Sequence, residues 1–228
     1  MRAIVVRHYK TVLNASDRII GWGDAPRAKD WGEDVAYVHE RLRELGINFD
    51  RIYSSNLERA RRTAMHYASA YGILFVHDAP ELNEVNYGTL YRKSKQWVAK
   101  NIPEHKRDPD FVYPDGESFR QMQRRSVDFL QSQNAFHPDS TVLVVAHAGV
   151  IRGLICHFLG LDYGSHLKQK ITHRYIGDFT LDHEGNCTRY DEHGKQSGFV
   201  RSASIRIPWS RPAALAGSTD PLASAPGL

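Results

Sequence analysis

Cysteine is scarce in this sequence, with Cys156 and Cys187 as the only two among 228 residues. They do not have C-x-x-C spacing, so neither a zinc site nor a thiol redox motif is predicted, and both thiols are expected to be reduced. The histidines likewise show no metal-ligand spacing. We therefore expect a protein without a bound metal.

Long hydrophobic runs are also lacking. No apolar segment approaches the roughly 20 residues that cross a bilayer, so we expect no membrane association. The apolar run within residues 1–7 is too short for a secretory signal, and charge follows it at once. These absences favour a cytoplasmic protein.

Positive charge is only slightly in excess of negative charge. The formal net charge is +4 and the isoelectric point is about 9.0. The basic residues are scattered rather than gathered into one run, so nucleic acid is not the expected partner, whereas a small anionic substrate suits the balance. Hydrophobic residues make up 41 % and charged residues 25 % of the chain, which is ordinary globular composition for one or two domains.

Short β-branched runs alternate with segments of helical periodicity. This alternation predicts an α/β fold, a three-layer α/β/α sandwich with a mainly parallel central sheet. Ser55 and Glu58 have the S-x-x-E spacing of a capping box, which predicts the start of the second helix. Strands are predicted at 3–6, 47–54, 73–76 and 141–146, helices at 33–45, 55–72, 117–133 and 149–159, and a hairpin at 179–182 and 188–191.

Two segments depart from this alternation. Residues 89–114 carry many charges with weak periodicity, which predicts an inserted loop or helical lobe. After Pro208 the chain is rich in Ala, Ser, Pro and Gly, which predicts a disordered tail over 208–228. One domain is therefore expected over 1–207.

Cationic and histidine side chains follow the predicted strands. Arg7 and His8 come directly after the first strand, Arg59 lies in the first turn after the second, and His147 follows the strand at 141–146. Each of these alone is more often structural than functional. Because parallel strands end at the same edge of a sheet, where ligands bind, the shared position favours a site for a doubly charged anion such as phosphate.

Five motifs in order along the chain strengthen this hypothesis. They are R-H-Y-K-T at 7–11 with Asn14, Arg18 and Gly21, S-N-L-E-R-A at 55–60 with Thr63 and Ala64, L-N-E at 82–84 followed by Gly88, P-D-G-E-S at 114–118, and H-A-G at 147–149. Together they closely resemble the signature motifs of the histidine phosphatase superfamily.

The resemblance implies a role for each matching residue. His8 would attack phosphorus and form a phosphohistidine. Arg7, Arg59 and His147 would hold the phosphoryl oxygens, because this chemistry depends on positioning and charge stabilisation. Glu84 would protonate the leaving oxygen and then activate water.

Three further residues are implied in substrate binding. Asn14 would donate another hydrogen bond to the phosphoryl group, and Thr11 and Gly21 belong to the same first motif. No cofactor is implied, because arginines take the place of a metal. The expected partner is a small phosphorylated substrate held under an insert at 89–114, and a homodimer is left open.

Tyr9 is a departure from the family pattern, which has glycine at this position. If the backbone requires a positive φ, tyrosine would cost about 1 kcal/mol. If the backbone is ordinary, the side chain would line the pocket mouth. Substrate shape is more affected by this difference than catalysis.

Three functions remain open. The preferred one is phosphomonoester hydrolysis. A cofactor-dependent phosphoglycerate mutase is an alternative, because G-W-G-D at 21–24 is mutase-like, although no R-R-S-Y-like segment for a substrate carboxylate occurs between Gly88 and Tyr113. A non-catalytic phosphate-binding module is disfavoured, because His8, Arg59 and Glu84 are all present.

Overall fold

The computed structural model describes residues 1–164 and 170–194. In this part of the chain the strands form one sheet with the order β3-β2-β4-β1-β5-β6. The strands are β1 Arg2–Arg7, β2 Arg51–Ser54, β3 Val76–Asp78, β4 Thr141–Ala146, β5 Ile176–Leu181 and β6 Cys187–Glu192. The helices are α1 Val12–Ala15, α2 Trp31–Glu44, α3 Glu58–Tyr71, α4 Lys95–Asn101, α5 Phe119–Phe136 and α6 Ala148–Phe158, with 3₁₀ turns at Pro80–Leu82, Gly88–Leu90 and Pro103–Lys106.

The sheet is mostly parallel, as predicted. Strands β1 to β4 run in one direction, and β5 and β6 form the antiparallel edge that corresponds to the predicted hairpin. Arg7 lies opposite Ala146 and Ser54 lies opposite Val145, so β1, β2 and β4 end at one level. The residues that follow these strands are therefore neighbours.

Both faces of the sheet are covered. In β1, Ala3 and Val5 face one hydrophobic core while Ile4 and Val6 face the other. The first core contains residues of α5 and α6 and the second contains residues of α2 and α3. This double burial explains the continuous apolar runs of β1 and β4, and it confirms the predicted three-layer arrangement.

The predicted third strand is wrong in position. β3 spans Val76–Asp78 rather than 73–76, and Leu74 and Phe75 are 88 % and 73 % exposed. Among the described strands, β3 lies at the edge of the sheet and pairs only with β2. The short β2 begins at Arg51 rather than 47, and its pairing with β3 starts at Ile52 and Val76. The apolar run therefore lies in the connection before the strand.

The predicted capping box at Ser55 and Glu58 is also wrong. α3 begins at Glu58 with Leu57 as its N-cap residue, and no side chain caps it. The hydroxyl of Ser55 instead contacts Asn83 and His147 at the edge of the sheet. Ser55 therefore makes contacts at the sheet edge and does not cap the helix.

The other predicted helices are present, with ends shifted by at most three residues. The segment 89–114 contains α4 and a 3₁₀ turn. The predicted tail at 208–228 lies outside the described residues. Among the described helices, none combines the length and apolarity needed to span a bilayer.

Candidate active site

A cavity of about 230 Å³ opens at the carboxyl edge of the parallel strands. Its position follows from the register, because β1 and β4 end beside one another there. Six of the eight predicted site residues line it: Arg7, His8, Asn14, Gly21, Arg59 and Glu84. The other two, Thr11 and His147, are fully buried outside its lining.

His8 is held as a neutral imidazole with a defined tautomer. Its Nδ1 lies 2.5 Å from the carbonyl oxygen of Tyr9, which can only accept, so Nδ1 carries the proton. Burial, followed by the charge of Arg59, lowers the pKa of His8 well below its usual value. Nε2 is therefore left with a lone pair, as a nucleophile requires.

Arg59 is fixed by two backbone carbonyls. Its two terminal nitrogens donate to the carbonyl oxygens of Gly23 at 2.8 Å and Gly21 at 2.6 Å, and the side chain is only 1 % exposed. Its Nε is buried and has no hydrogen-bond partner in the part of the chain that the structure describes. Burial lowers the pKa of this guanidinium, and the Glu84 carboxylate opposes that effect. A rigid cation thus keeps an unused donor.

Arg7 repeats this arrangement on the neighbouring strand. One terminal nitrogen donates to the carbonyl of Ile171 at 2.6 Å, and its Nε is buried without a partner. Burial and the nearby Arg152 lower the pKa of Arg7 to about 10, so it remains charged at neutral pH. Two charged donors without partners favour an anionic ligand at this edge.

His147 is fully buried beside the nucleophile candidate. Its ring centroid lies 4.9 Å from that of His8, and its Nε2 lies 2.8 Å from Ser55 Oγ. Ser55 donates its proton to Asn83 Oδ1, so the hydroxyl accepts from His147 Nε2. Burial, followed by Arg59, lowers the pKa of His147 well below its usual value. Its Nδ1 is buried without a partner, so it holds a lone pair in the neutral ring.

Glu84 is positioned by backbone amides. Its carboxylate accepts from the N–H groups of Val85 at 3.0 Å and Gly149 at 3.2 Å. Its carbonyl oxygen accepts from Trp22 Nε1 and from Arg125. A Cβ at position 149 would stand 2.1 Å from Glu84 Oε1, so a larger residue would displace the carboxylate from this position. The glycine of the H-A-G motif therefore serves the carboxylate.

Thr11 supports Asn14 rather than facing the cavity. Its N–H and hydroxyl both contact Asn14 Oδ1, at 3.1 and 2.9 Å. These bonds turn the amide nitrogen of Asn14 the other way, and Thr11 also caps α1. The position predicted as substrate-binding at Thr11 is thus separated from the cavity. Gly21 lines the cavity with a φ of +56° and holds Arg59 through its carbonyl.

Tyr9 has an ordinary backbone, since its φ is not positive. Its ring is 4 % exposed, lies 5.7 Å from the ring of Trp31 and packs under Arg27. It belongs to the core on the side of α2 and does not line the cavity. The expectation that it lines the pocket mouth is therefore wrong, because the chain turns the side chain behind the sheet edge.

Sequence reasoning missed several residues that line the cavity. Arg152 lies in the first turns of α6, close after the H-A-G motif, and Arg18 belongs to the first motif without a role assigned to it. Lys95 is paired with Asp17 at 2.5 Å. Arg152 follows His147 by five residues in the sequence, and this short separation is the signal that could have identified it. The lining residues with polar side chains that lie outside the predicted set of eight are Arg18, Tyr87, Lys95, Arg152 and Lys170.

One group in the described residues has the spacing of metal ligands. Asp178, Asp191 and His193 lie together on β5, β6 and the residue after them. Arg2 already donates to both carboxylate oxygens of Asp178, and none of the three lines the cavity. The group is therefore an ion-pair cluster on the antiparallel edge, remote from the proposed chemistry.

The fold and the cavity define an α/β protein with a cationic, histidine-containing site at the carboxyl edge of its sheet. The chain belongs to the histidine phosphatase superfamily (branch 1), whose family model matches residues 3–191. It is similar to a protein named probable phosphoglycerate mutase GpmB from Erwinia tasmaniensis, at 32 % identity over 81 % of this chain and 86 % of that protein.

Two further proteins show the range of the similarity. The 2,3-bisphosphoglycerate-dependent phosphoglycerate mutase of Bartonella tribocorum is 28 % identical over 74 % of this chain and 86 % of its own length. The phosphoserine phosphatase of Entamoeba histolytica, solved with 3-phosphoglyceric acid, shares the fold with a TM-score of 0.73 at 22 % identity, covering 86 % of this chain and 98 % of that one. The sequence relatives are thus named mutases, and a phosphatase is among the proteins that share the fold.

Acid should destabilise the fold through its buried histidines. Burial lowers the pKa of His8, His147 and His173, the last to about 2. Below about pH 6.5 these histidines bind protons in the unfolded chain but stay neutral in the folded protein. The free energy of unfolding should therefore fall as the pH drops below that value. Urea denaturation at pH 7.5, 6.5 and 5.5 measures this slope.

His173→Gln should reduce the slope of the unfolding free energy against pH by up to about 1.4 kcal/mol per pH unit, which is the contribution of one bound proton. Glutamine can keep the hydrogen bond that His173 Nδ1 makes to the carbonyl of His8. The matched control is His183→Gln in the exposed turn between β5 and β6, which should leave the slope unchanged. Parallel pH curves for His173→Gln and the unaltered protein would contradict the argument.

Proposed function

We propose that the protein hydrolyses phosphomonoesters through a phosphohistidine on His8. The observation that carries this proposal is the bond from His8 Nδ1 to the carbonyl of Tyr9, because it directs the lone pair to Nε2. His8 also lines a cavity whose other walls include Arg7 and Arg59. A buried, neutral and oriented imidazole beside two cations suits attack on a phosphoryl group.

In the first half-reaction Nε2 attacks phosphorus, and a P–N bond forms as the P–O bond to the alcohol breaks. Glu84 gives its proton to the leaving oxygen. The ring keeps its proton on Nδ1 and becomes cationic, and the Tyr9 carbonyl stabilises that charge. In the second half-reaction water attacks phosphorus, the Glu84 carboxylate takes the proton, and Nε2 regains its electron pair.

The charge on the phosphoryl oxygens is met by donors that have no other partner. The buried Nε atoms of Arg7 and Arg59 supply two of them, and the amide nitrogen of Asn14 supplies a third. His147 would take up a proton on Nδ1 as the dianion enters, because negative charge nearby favours the imidazolium. These fixed donors need no metal to complete them.

Hydrolysis is preferred over phosphoryl transfer back to a bound phosphoglycerate on the basis of what surrounds the cavity. The segment between Gly88 and Tyr113 has no R-R-S-Y-like sequence for a substrate carboxylate. Phosphatases occur among the proteins that share this fold. The second candidate is a phosphoglycerate mutase, which the names of the sequence relatives favour.

His8→Ala should abolish both turnover and labelling. Rapid quench with a ³²P-labelled phosphomonoester should give an acid-labile, base-stable phosphoprotein in the unaltered protein, because a P–N bond has that stability. The assay contains a strong chelator, since no metal is expected to take part. His183→Ala, at an exposed position, is the control and should label normally. Normal turnover by His8→Ala would refute the mechanism.

Glu84→Gln should discriminate between leaving groups. Loss of a general acid slows a poor leaving group by about 10² to 10⁴, whereas an activated aryl leaving group needs little protonation. We expect that loss of kcat/KM with an alkyl phosphate and a much smaller one with 4-nitrophenyl phosphate. Glu81→Gln, at an exposed position three residues earlier, is the matched control and should change neither rate. Equal losses on both substrates would assign the acid elsewhere.

The ratio of phosphate release to isomerisation should separate the two candidate functions. With 3-phosphoglycerate and a trace of 2,3-bisphosphoglycerate, phosphate release should exceed formation of 2-phosphoglycerate by a wide margin. The reason is that a mutase must keep its phosphoenzyme from water and hold the substrate carboxylate. His8→Ala should form neither product. Dominant isomerisation would establish the mutase reaction instead.

A further inference from the structure

A second cavity of about 330 Å³ adjoins the first. The two share Ile19, Tyr87, Lys95, Gly149 and Arg152 in their linings, so they are direct neighbours. We call the second cavity the aromatic chamber, because its walls include Tyr87, Tyr113, Phe119 and Tyr163. The two half-reactions described above give this cavity no part.

The aromatic chamber lies on the side of the general acid. Gly149 lines both cavities and donates its N–H to the Glu84 carboxylate, and Val85, the next residue, lines the chamber. Attack and departure are in line in phosphoryl transfer, so the leaving oxygen must reach Glu84 on the side away from His8. The chamber therefore borders the side on which the leaving oxygen departs.

The opposite exit from the phosphate site has a different character. A wide recess of about 650 Å³ begins at Arg7 and Asn14, and its lining contains neither Gly149 nor Val85, the residues that place the chamber beside Glu84. Its walls carry ion pairs, with Lys10 bound to Asp30 and Arg174 bound to Asp34. Charged side chains that are already paired offer few binding contacts to a leaving group. This recess is therefore better suited to the entry of water and phosphate.

The chamber walls suit a flat ring. Tyr87 and Tyr113 meet edge to face with centroids 4.8 Å apart, and Phe119 and Tyr163 lie 5.1 Å apart at 50°. Burial raises the pKa of Tyr87 and Tyr113 above the usual value and that of Tyr163 to about 12, so the phenols stay neutral. A neutral aromatic wall favours another ring through stacking and edge-to-face contact.

His105 adds one polar contact to this apolar surface. It lines the chamber from the 3₁₀ turn after α4, and its Nε2 is buried with no hydrogen-bond partner among residues 1–164 and 170–194. Its Nδ1 lies 3.4 Å from the hydroxyl of Tyr113, and Tyr163 donates to its backbone carbonyl, so the ring is held in place. A buried polar atom without a partner in a cavity wall favours a ligand that carries a matching group.

We propose that the aromatic chamber binds the leaving group and that the favoured substrates are phosphate esters of alcohols that carry a flat ring with a hydrogen-bonding substituent recognised by His105. The proposal rests on the hydrolase function proposed above. It assigns substrate choice to the segment that carries His105 and Tyr113, and it leaves phosphoryl chemistry to the first cavity.

Three primary alkyl phosphates test the proposal on the unaltered protein: ethyl, 2-phenylethyl and 2-(4-hydroxyphenyl)ethyl phosphate. Their leaving alcohols are similar in basicity, so differences in kcat/KM report on the chamber. Burial of the phenyl ring should raise kcat/KM at least about tenfold over ethyl phosphate. The hydroxyl, which can donate or accept, should add about three- to tenfold. Equal values for ethyl and 2-phenylethyl phosphate would overturn the inference while leaving hydrolysis intact.

His105→Phe separates the hydrogen bond from the ring. It should remove the advantage of the hydroxyl while keeping the preference for phenyl, because an aromatic wall remains. His183→Phe, in the exposed turn far along the chain, is the matched control and should preserve both preferences. Retention of the hydroxyl preference in His105→Phe would refute the role of His105.

Binding of non-hydrolysable phosphonates gives a measurement independent of turnover. Calorimetry should show 3-phenylpropylphosphonate binding at least about tenfold more tightly than propylphosphonate, again from burial of the ring. Absence of hydrolysis for all three esters would contradict the proposed function, and the phosphonates would still test the chamber. Equal affinity for both phosphonates would overturn the chamber proposal by itself.

Discussion

The site depends on one constraint, which is that the parallel strands β1, β2 and β4 end at the same level of the sheet. Arg7 pairs with Ala146 across β1 and β4, and Ser54 pairs with Val145 across β2 and β4. The next residue of each strand therefore emerges at one edge, and side chains more than 100 residues apart meet there. A shift of one residue in this register would turn each buried run to the wrong face, so the two cores that hold the sheet also hold the site.

Burial of positive charge without full pairing is the main energetic cost of this arrangement. Arg7 and Arg59 each use terminal nitrogens on backbone carbonyls and keep a buried Nε without a partner. An unsatisfied buried donor costs about 1–3 kcal/mol, and more when the group is charged. Neutral His8 and His147 limit the total charge. An anion that enters offsets part of the cost, so binding and stability are linked.

Local patterns that failed did so where tertiary contacts compete with them. Ser55 matched a capping box but is used to fix His147 and Asn83. The apolar run at Leu74 and Phe75 resembled a strand, yet pairing at the sheet edge begins only at Val76. In each case the residue types were correct for the region, and a partner distant in sequence decided their use.

The amino-acid order alone determined the layered α/β fold and the family, because hydrophobic periodicity and the five motifs are both local features of the chain. It also selected six of the residues that line the cavity, from Arg7 to Glu84. Only the tertiary structure decided that Thr11 supports Asn14, that Tyr9 turns into a core, and that His105 reaches an aromatic chamber. These outcomes depend on the direction of a side chain, and that direction is set by packing between segments which no spacing in the sequence records.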